Sequence, residues 1–239
     1  MSQFLMARAS ELLLRRRPVS TGLAELDGLI GGLRPGALHV FYGDPQVTDV
    51  VLYRVMVEAS KRGGVAYLNN TDYYGEKTLI DATTFSAVSK IARVEPLKAL
   101  SAIRCAAAFN AARQVRAAER LAEAVKKRRK VRLIAVHNAS AFLDGEWGEA
   151  SSALVRSFSI LMEAASRVSA PLVATAAAAH SETPEAMPHL PSQVLERASV
   201  VVFFRPEGLG PGGQAGQACL ASSPADCSSD PRSLVVWCG

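Results

Sequence analysis

The sequence predicts an α/β domain with a mostly parallel sheet, helices on both faces of that sheet and an antiparallel β extension at the C-terminal end. Three observations support this class. Short apolar runs alternate with helical segments of the length that connects parallel strands. The closing part has three β-type runs separated by Gly-, Pro- and Ser-rich turns instead. The chain of 239 residues, 49% hydrophobic and 21% charged, is also large enough to bury one sizeable core.

The N-terminal part is expected to precede the core. A helical pattern with a basic end reaches Arg17, where Pro18 stops it. We therefore divide the chain into an N-terminal helix or tether, 1–17, and a core domain, 18–239. The core begins with a short predicted helix for which Ser20 or Thr21 is the expected cap.

Strand and helix patterns then alternate along the core. The expected strands are 37–43, 64–70, a short run within 99–108, 131–138 and 170–177, followed by the closing β runs 199–205, 216–222 and 232–238. The expected helices are 49–63, 76–92, 112–130 and 151–168. Strands separated by such helices predict a parallel sheet, at whose carboxyl edge a ligand is expected.

The segment FYGDPQVTDVV, residues 41–51, matches part of a phosphate-binding loop, G-x-x-x-x-G-K-[ST] between a strand and a helix. Gly43 is the first glycine of that motif. Thr48 stands where the second glycine belongs, Asp49 replaces the lysine, and Val50 replaces the hydroxyl residue that binds Mg²⁺. The lysine and the hydroxyl are the groups that hold phosphate and metal. We therefore expect no nucleotide cofactor.

Taken in chain order, these segments resemble the core domain of the archaeal recombinase RadA and its RecA-like relatives. Residues 20–32 are similar to the family's entry motif, 63–70 to its second strand, and 108–138 to its best-matched stretch. The resemblance implies a RecA-like, P-loop NTPase-type fold. It also implies a core-only RadA paralog with degenerate Walker A and Walker B motifs, because RadA has a further N-terminal helical domain.

The resemblance places other residues of this chain at the family's catalytic positions. His137 and Asn138 stand at the Walker B aspartate and the serine after it, Asn69 and Thr71 at the acidic start of the second strand and the water-activating glutamate, and Ala176 and Ala177 at the nucleotide-sensing asparagine and glutamine. Asp72 is one residue out of register. His137 does not replace a Mg²⁺ carboxylate, and neither Asn69 nor Thr71 can act as a general base at neutral pH. We interpret His137 as a histidine satisfied by hydrogen bonds; a soft-metal ligand is the alternative. The expectation is an inactive ATPase homologue with no catalytic residue and no metal site.

The family's interaction elements are partly present. Its two DNA-contacting loops correspond to 142–151, which carries Asp144, Glu146 and Glu149, and to 178–193, which has no lysine or arginine; both are interpreted as ordinary surface connections. RadA-type recombinases also polymerise through an F-x-x-A segment that fills pockets on a neighbouring core and extends its sheet. The matching residues here are Phe4 and Ala7 or, in a shifted register, Met6 and Ala9. A helix packed on its own core is the competing interpretation.

The formal charge of +5 is concentrated in two basic clusters. The first contains Arg15, Arg16 and Arg17, and the second contains Lys126, Lys127, Arg128, Arg129 and Lys130. Such clusters either contact nucleic-acid phosphates or form solvated helix ends.

The four cysteines form no C-x-x-C pair, so no zinc site is expected. A disulfide between Cys219 and Cys238, on two late strands that could be neighbours, stays open. The N-terminus has no signal-peptide pattern, and no apolar run has the length of a membrane span. We therefore expect a cytoplasmic protein that does not bind membranes.

Three functional hypotheses follow. The first is a nucleotide-independent RadA paralog that binds a RadA-type recombinase, or another RecA-fold protein, and modulates its action in homologous recombination and DNA repair. The second is an autonomous DNA-binding protein that uses the basic clusters, for which a steep salt dependence of DNA binding would be diagnostic. The third is a residual ATPase with an altered nucleotide site.

Overall fold

The computed structural model describes residues 17–71, 79–127, 130–144, 147–179, 187–207, 213–220 and 232–238. The strands within these ranges are β1 (Leu38–Gly43), β2 (Gly64–Asn70), β3 (Ile103–Ala108), β4 (Val131–His137), β5 (Leu172–Ala176), β6 (Ala198–Glu207), β7 (Gly213–Leu220) and β8 (Arg232–Cys238). The helices are α1 (Ala24–Ile30), α2 (Pro45–Ser60), α3 (Ala82–Ile91), α4 (Pro96–Ser101), α5 (Ala111–Lys126), α6 (Trp147–Val168) and α7 (Ser192–Leu195).

The strands form one sheet in the order β3-β2-β4-β5-β1-β6-β7-β8. All pairings from β3 to β6 are parallel. The pairs β6–β7 and β7–β8 are antiparallel. The predicted α/β class, a parallel sheet flanked by helices, is confirmed.

Helices cover both faces of the sheet. Buried side chains of α5, α6 and α7 pack on one face, and those of α1, α2, α3 and α4 pack on the other. The central strand β1 supplies both layers, with Leu38, Val40 and Tyr42 in the first and Phe41 in the second, because neighbouring side chains of a strand point to opposite faces. A strand buried on both faces has no polar alternation, which explains why the run in β1 is apolar except for His39.

Helix α2 begins at Pro45, four residues before the predicted start at Asp49. The Asp44 carboxylate caps this helix by accepting a hydrogen bond from the Val47 N–H at 3.1 Å, and proline is favoured at the first helical position. The prediction began the helix at its apolar run and overlooked this cap. The consequence is that α2 follows β1 almost directly.

The cap predicted for α1 is wrong. The residue before the helix is Leu23, which makes no side-chain cap bond. Asp27 inside the helix instead accepts hydrogen bonds from the Ser20 Oγ at 2.6 Å and the Thr21 Oγ1 at 2.8 Å. A carboxylate is the stronger acceptor, so the two hydroxyls serve it as donors and do not cap the helix.

The register of β7 and β8 does not allow a Cys219–Cys238 disulfide. Cys238 lies opposite Gly213, and Cys219 is six residues further along β7, from 213 to 219. Six residues of a strand extend about 20 Å, whereas the Cα atoms of a disulfide lie within about 7 Å. The two strands are neighbours, but the cysteines stand near opposite ends of the pair.

Within the described ranges, no helix combines the length and the apolar character that crossing a bilayer requires. The proposed tether residues Phe4, Met6, Ala7 and Ala9 lie outside the described residues.

Candidate functional site

A cavity of about 530 Å³ lies at the carboxyl edge of the parallel sheet. Residues at the ends of β2, β4 and β5 and in the first turns of α2 form most of its wall. The lining residues are Pro45, Thr48, Asp49, Tyr53, Asn69, Asn70, Thr71, Asp81, His137, Asn138, Thr175, Ala176 and Ala177. Ligands of open α/β sheets bind at this edge. The structure therefore brings together all the predicted nucleotide-site positions except Gly43 and Val50.

The first turn of α2 uses its own backbone donors internally. Pro45 has no N–H group, the Val47 N–H donates to the Asp44 carboxylate, and the Thr48 N–H donates to the Asp44 carbonyl at 3.0 Å. The buried Thr48 hydroxyl also donates to that carbonyl, at 3.1 Å. A phosphate loop binds its anion with unpaired N–H groups. Three of the four positions after Asp44 offer none, and Val50 is packed in the core.

Gly43 is required by strand packing. Its φ of +121° is strained for any other residue, and a Cβ atom there would lie 2.0 Å from the Phe204 carbonyl oxygen on β6. The same oxygen accepts the Asp44 N–H at 2.9 Å. The close approach of β1 and β6 therefore explains this glycine without a phosphate ligand.

Asp49 and His137 are hydrogen-bonded to each other across the cavity. The Asp49 Oδ1 lies 2.7 Å from the His137 Nε2, and the His137 Nδ1 lies 2.9 Å from the Tyr67 hydroxyl. The same hydroxyl lies 3.1 Å from the Leu79 carbonyl oxygen, a second possible acceptor for its single proton. The positions expected to hold a lysine and a Mg²⁺ carboxylate are thus joined in a chain of side chains that requires neither phosphate nor metal.

The hydrogen-bonded series of Asp49, His137 and Tyr67 admits two arrangements of protons. When His137 is neutral, its Nε2–H donates to Asp49 and its Nδ1 accepts a hydrogen bond from the Tyr67 hydroxyl. A protonated His137 donates from both nitrogens, and the Tyr67 proton then goes to the Leu79 carbonyl. Burial raises the pKa of Tyr67, so its hydroxyl keeps its proton in both arrangements.

A second tyrosine, Tyr53, forms an aromatic wall of the cavity. Its ring packs edge-on against Phe85 and is tilted toward His137, with centroid distances of 5.7 and 6.4 Å. Its hydroxyl accepts the Asp81 N–H at 3.1 Å. Burial raises the pKa of Tyr53 to about 12, so this wall is uncharged near neutral pH.

The end of β2 supplies amides and a hydroxyl where a general base is needed for hydrolysis. The Asn69 Nδ2 donates to the Leu79 carbonyl at 3.0 Å, and the Thr71 N–H donates to the Ala108 carbonyl at 3.0 Å. Asn70 is buried between them. Asp72 lies outside the described residues. Among those that are described, no three metal-ligating side chains gather at one place.

Comparison with known proteins does not assign this cavity. No family model matches the chain, and no curated protein sequence matches it.

The ends of β4 and β5 are fixed to each other. The Asn138 N–H donates to the Thr175 Oγ1 at 2.9 Å, and the Ala177 N–H donates to the Ser140 Oγ at 2.9 Å. Asn138 has a φ of +52°, which asparagine tolerates better than most residues. Ala176 is buried. This wall of the cavity has only methyl groups at the positions expected to sense a nucleotide.

The two loops aligned with DNA-contacting loops meet at His189. Trp147 stacks on its ring with centroids 5.2 Å apart, and an Asp144 oxygen lies 3.6 Å from its Nδ1. Glu149 is exposed, and Glu146 lies outside the described residues. Exposed carboxylates at this position oppose contact with phosphates.

The described lysines of the second basic cluster, Lys126, Lys127 and Lys130, are all exposed. Lys126 also pairs with Glu123 at 2.6 Å. Arg17 is exposed as well. The other arginines of the two clusters, Arg15, Arg16, Arg128 and Arg129, lie outside the described residues.

The sequence analysis missed four arginines in a groove of about 590 Å³ between β3 and α5. Arg104 lies on β3, the edge strand of the sheet, and Arg113, Arg116 and Arg120 lie on α5. Steps of three and four residues place side chains on one face of a helix. The spacing of the three α5 arginines could have predicted this basic face, but only the denser lysine and arginine run that follows was interpreted as a cluster.

Proposed function

We propose that this chain is a nucleotide-independent RadA paralog, a pseudo-ATPase that binds a RecA-fold recombinase and modulates its action in homologous recombination and DNA repair. The observation that carries the proposal is the Asp49–His137 hydrogen bond at 2.7 Å. It occupies the place where the resemblance requires a lysine and a Mg²⁺ ligand. The parallel sheet provides a scaffold suited to protein contacts.

Charge supports the loss of nucleotide binding. Near an effective dielectric constant of 20, two unit charges 4 Å apart interact by about 4 kcal/mol. Replacing the lysine by Asp49 exchanges an attraction for a repulsion, a difference of about 8 kcal/mol before relaxation. Micromolar affinity corresponds to about 8 kcal/mol. The internally bonded first turn of α2 removes backbone donors in addition.

The edge strand β3 supports the proposed binding of a protein partner. β3 pairs with β2 alone in the described sheet, which leaves its outer edge available for an added strand. Apolar residues of the groove, Ala106, Ala117 and Leu121, lie beside its four arginines. Under the resemblance, this edge accepts a tether from a neighbouring core, and residues 1–17 act as the tether of this chain.

The N-terminal residues provide the direct test of the partnership. Phe4→Ala or Met6→Ala should weaken binding to a RadA-type recombinase by roughly 30-fold or more, because an interface anchor contributes about 2 kcal/mol or more. A calorimetric titration of the purified recombinase with each variant measures this loss. The anchor shows the large effect, while the other residue stays near neutral and acts as its matched control.

Deletion of residues 1–10 should abolish the association and leave the melting temperature within a few degrees. Unchanged affinity of this truncated chain, or its outright unfolding, would contradict the tether and favour a helix packed on its own core.

Titrating the full chain and the truncated chain against labelled DNA at low and high salt tests the second candidate function. The exposed cations of the arginine groove favour that candidate because they can contact DNA phosphates. Binding through phosphate contacts weakens steeply as the salt concentration rises.

Millimolar Mg-ATP should leave the melting temperature unchanged. A ligand at 100 times its Kd would add about 2.7 kcal/mol of stability, so thermal melting is a sensitive measurement. Asp49→Lys alone should not create turnover, because Thr71 and His137 remain and the new ammonium group would face His137. Asp49→Asn is the charge-neutral control. Phosphate release above background from the unchanged protein would support a residual ATPase and refute the proposal.

A further inference from the structure

The cavity at the sheet edge is acidic and open although its nucleotide-binding groups are missing. A second cavity of about 350 Å³ adjoins it and shares Asp49, Tyr53 and Asp81 as walls. The described residues that line the two cavities include no lysine or arginine. A ligand there meets carboxylates without a permanent cation beside them, which disfavours anions and favours a cation.

The two carboxylates contribute differently. The Asp81 carboxylate caps α3 and accepts the Thr83 and Thr84 N–H groups and the Thr84 hydroxyl. These bonds, chiefly that of the Thr84 hydroxyl, lower the pKa of Asp81 and keep it charged. The Asp49 side chain is 37% exposed, and only its Oδ1 bonds to His137. Asp49 therefore offers a carboxylate oxygen to an incoming donor, and Asp81 adds to the negative field.

Asn70 points to a ligand independently of the acidic residues. It lines the larger cavity, it is 1% exposed, and neither its Oδ1 nor its Nδ2 has a hydrogen-bond partner among the residues that the structure describes. Leaving a buried polar group unpaired costs about 1 to 3 kcal/mol. A ligand with N–H donors would relieve this cost at the carbonyl oxygen.

From these features we infer that the cavity binds a guanidinium group. Guanidinium has five N–H donors, no acceptor and a permanent positive charge, which suits the Asp49 carboxylate and the Asn70 oxygen. Its flat face also stacks on an aromatic ring, and Tyr53 supplies one in the wall. The group comes either from a free small molecule or from an arginine side chain of a bound protein. The inference does not depend on the recombinase partnership.

Calorimetric titration of the full chain with N-acetylarginine amide tests the free source. Saturable binding is expected below about 10 mM, the range of a weak single-group ligand. The uncharged isostere Nα-acetylcitrulline amide should bind at least tenfold more weakly. Nα-acetyllysine amide should also bind more weakly, because its ammonium group is not planar and cannot stack on the Tyr53 ring. Asp49→Asn should reduce the affinity for the arginine derivative at least tenfold. Asp144→Asn, which removes an exposed carboxylate outside the cavity, should not.

The second arm tests a protein source with the same two variants. If the free probe does not bind but Asp49→Asn, and not Asp144→Asn, weakens the complex with a recombinase at least tenfold, the guanidinium belongs to the partner. Melting curves of both variants establish that they fold. Absence of probe binding, together with a complex that Asp49→Asn leaves unchanged or with no complex at all, overturns the inference. Equal binding of the arginine and citrulline derivatives overturns it too. Because the first arm contains no recombinase, failure of the proposed function leaves its result interpretable.

Discussion

Gly43→Ala should lower the free energy of unfolding by about 4 kcal/mol or more, among the largest effects expected of a single substitution. The new Cβ atom would lie 2.0 Å from the Phe204 carbonyl oxygen, so β1 and β6 would have to move apart. A φ of +121° adds backbone strain of about 1 to 3 kcal/mol for alanine. Urea unfolding monitored by circular dichroism measures the loss.

Gly31→Ala is the matched control. Gly31 ends α1 with a φ of +70°, and a Cβ atom there would meet no other atom within 4 Å. Its substitution should therefore cost only the strain of a left-handed residue, about 1 kcal/mol. Equal losses for the two variants would show that strand packing does not require Gly43.

The buried histidine of β1 should make the protein sensitive to acid. His39 is fully buried, and its Nε2 accepts the Arg34 N–H at 3.1 Å. Burial, aided by the nearby Arg34 charge, lowers the pKa of His39 from 6.5 to about 4. Below pH 6.5 the unfolded chain binds a proton that the folded chain refuses until about pH 4. The stability contributed by the neutral imidazole is thus present above pH 6.5 and is lost as the pH falls through this window.

Unfolding free energies at pH 7 and pH 4.5 test this expectation. The unmodified protein should lose about 2 kcal/mol more than His39→Gln between these values, since one unit of pKa shift corresponds to about 1.4 kcal/mol. The comparison of losses removes the contribution of other groups that titrate in both proteins. Identical losses would mean that His39 takes up its proton as readily in the folded state as in the unfolded state.

The sheet could be predicted because its central strands, β1, β2, β4 and β5, are buried on both faces. Runs such as 37–43 have no polar alternation, and helices of crossover length separate them, so class and connection follow from local pattern. The start of α2 could not be found in this way. Its first residues, Pro45 and Gln46, are not part of an apolar stripe, and their helical state depends on the Asp44 cap.

The candidate site was predictable in position but not in chemistry. The resemblance placed Asp49, Thr71 and His137 in one nucleotide site, and all three lie in the wall of the cavity. The interpretation of His137 as a histidine satisfied by hydrogen bonds agrees with its two bonds. Tyr67, the third side chain of the Asp49–His137–Tyr67 series, has the sequence pattern of an ordinary strand residue. Its role could not be predicted because its hydroxyl reaches the site only through the geometry of β2 and β4. Arrangements of this kind depend on side-chain directions between segments far apart in the chain.

The Asp49–His137 bond also makes two distant positions behave as one unit of design. The resemblance would place a cation on α2 and a carboxylate at the end of β4, and this chain has the carboxylate on α2 and the base on β4, so the polarity of the pair is reversed. Changing either member alone leaves the other without its counterpart at a half-enclosed edge. To give the pair the polarity that the resemblance implies, both residues therefore have to be exchanged in one step, across 88 positions of sequence.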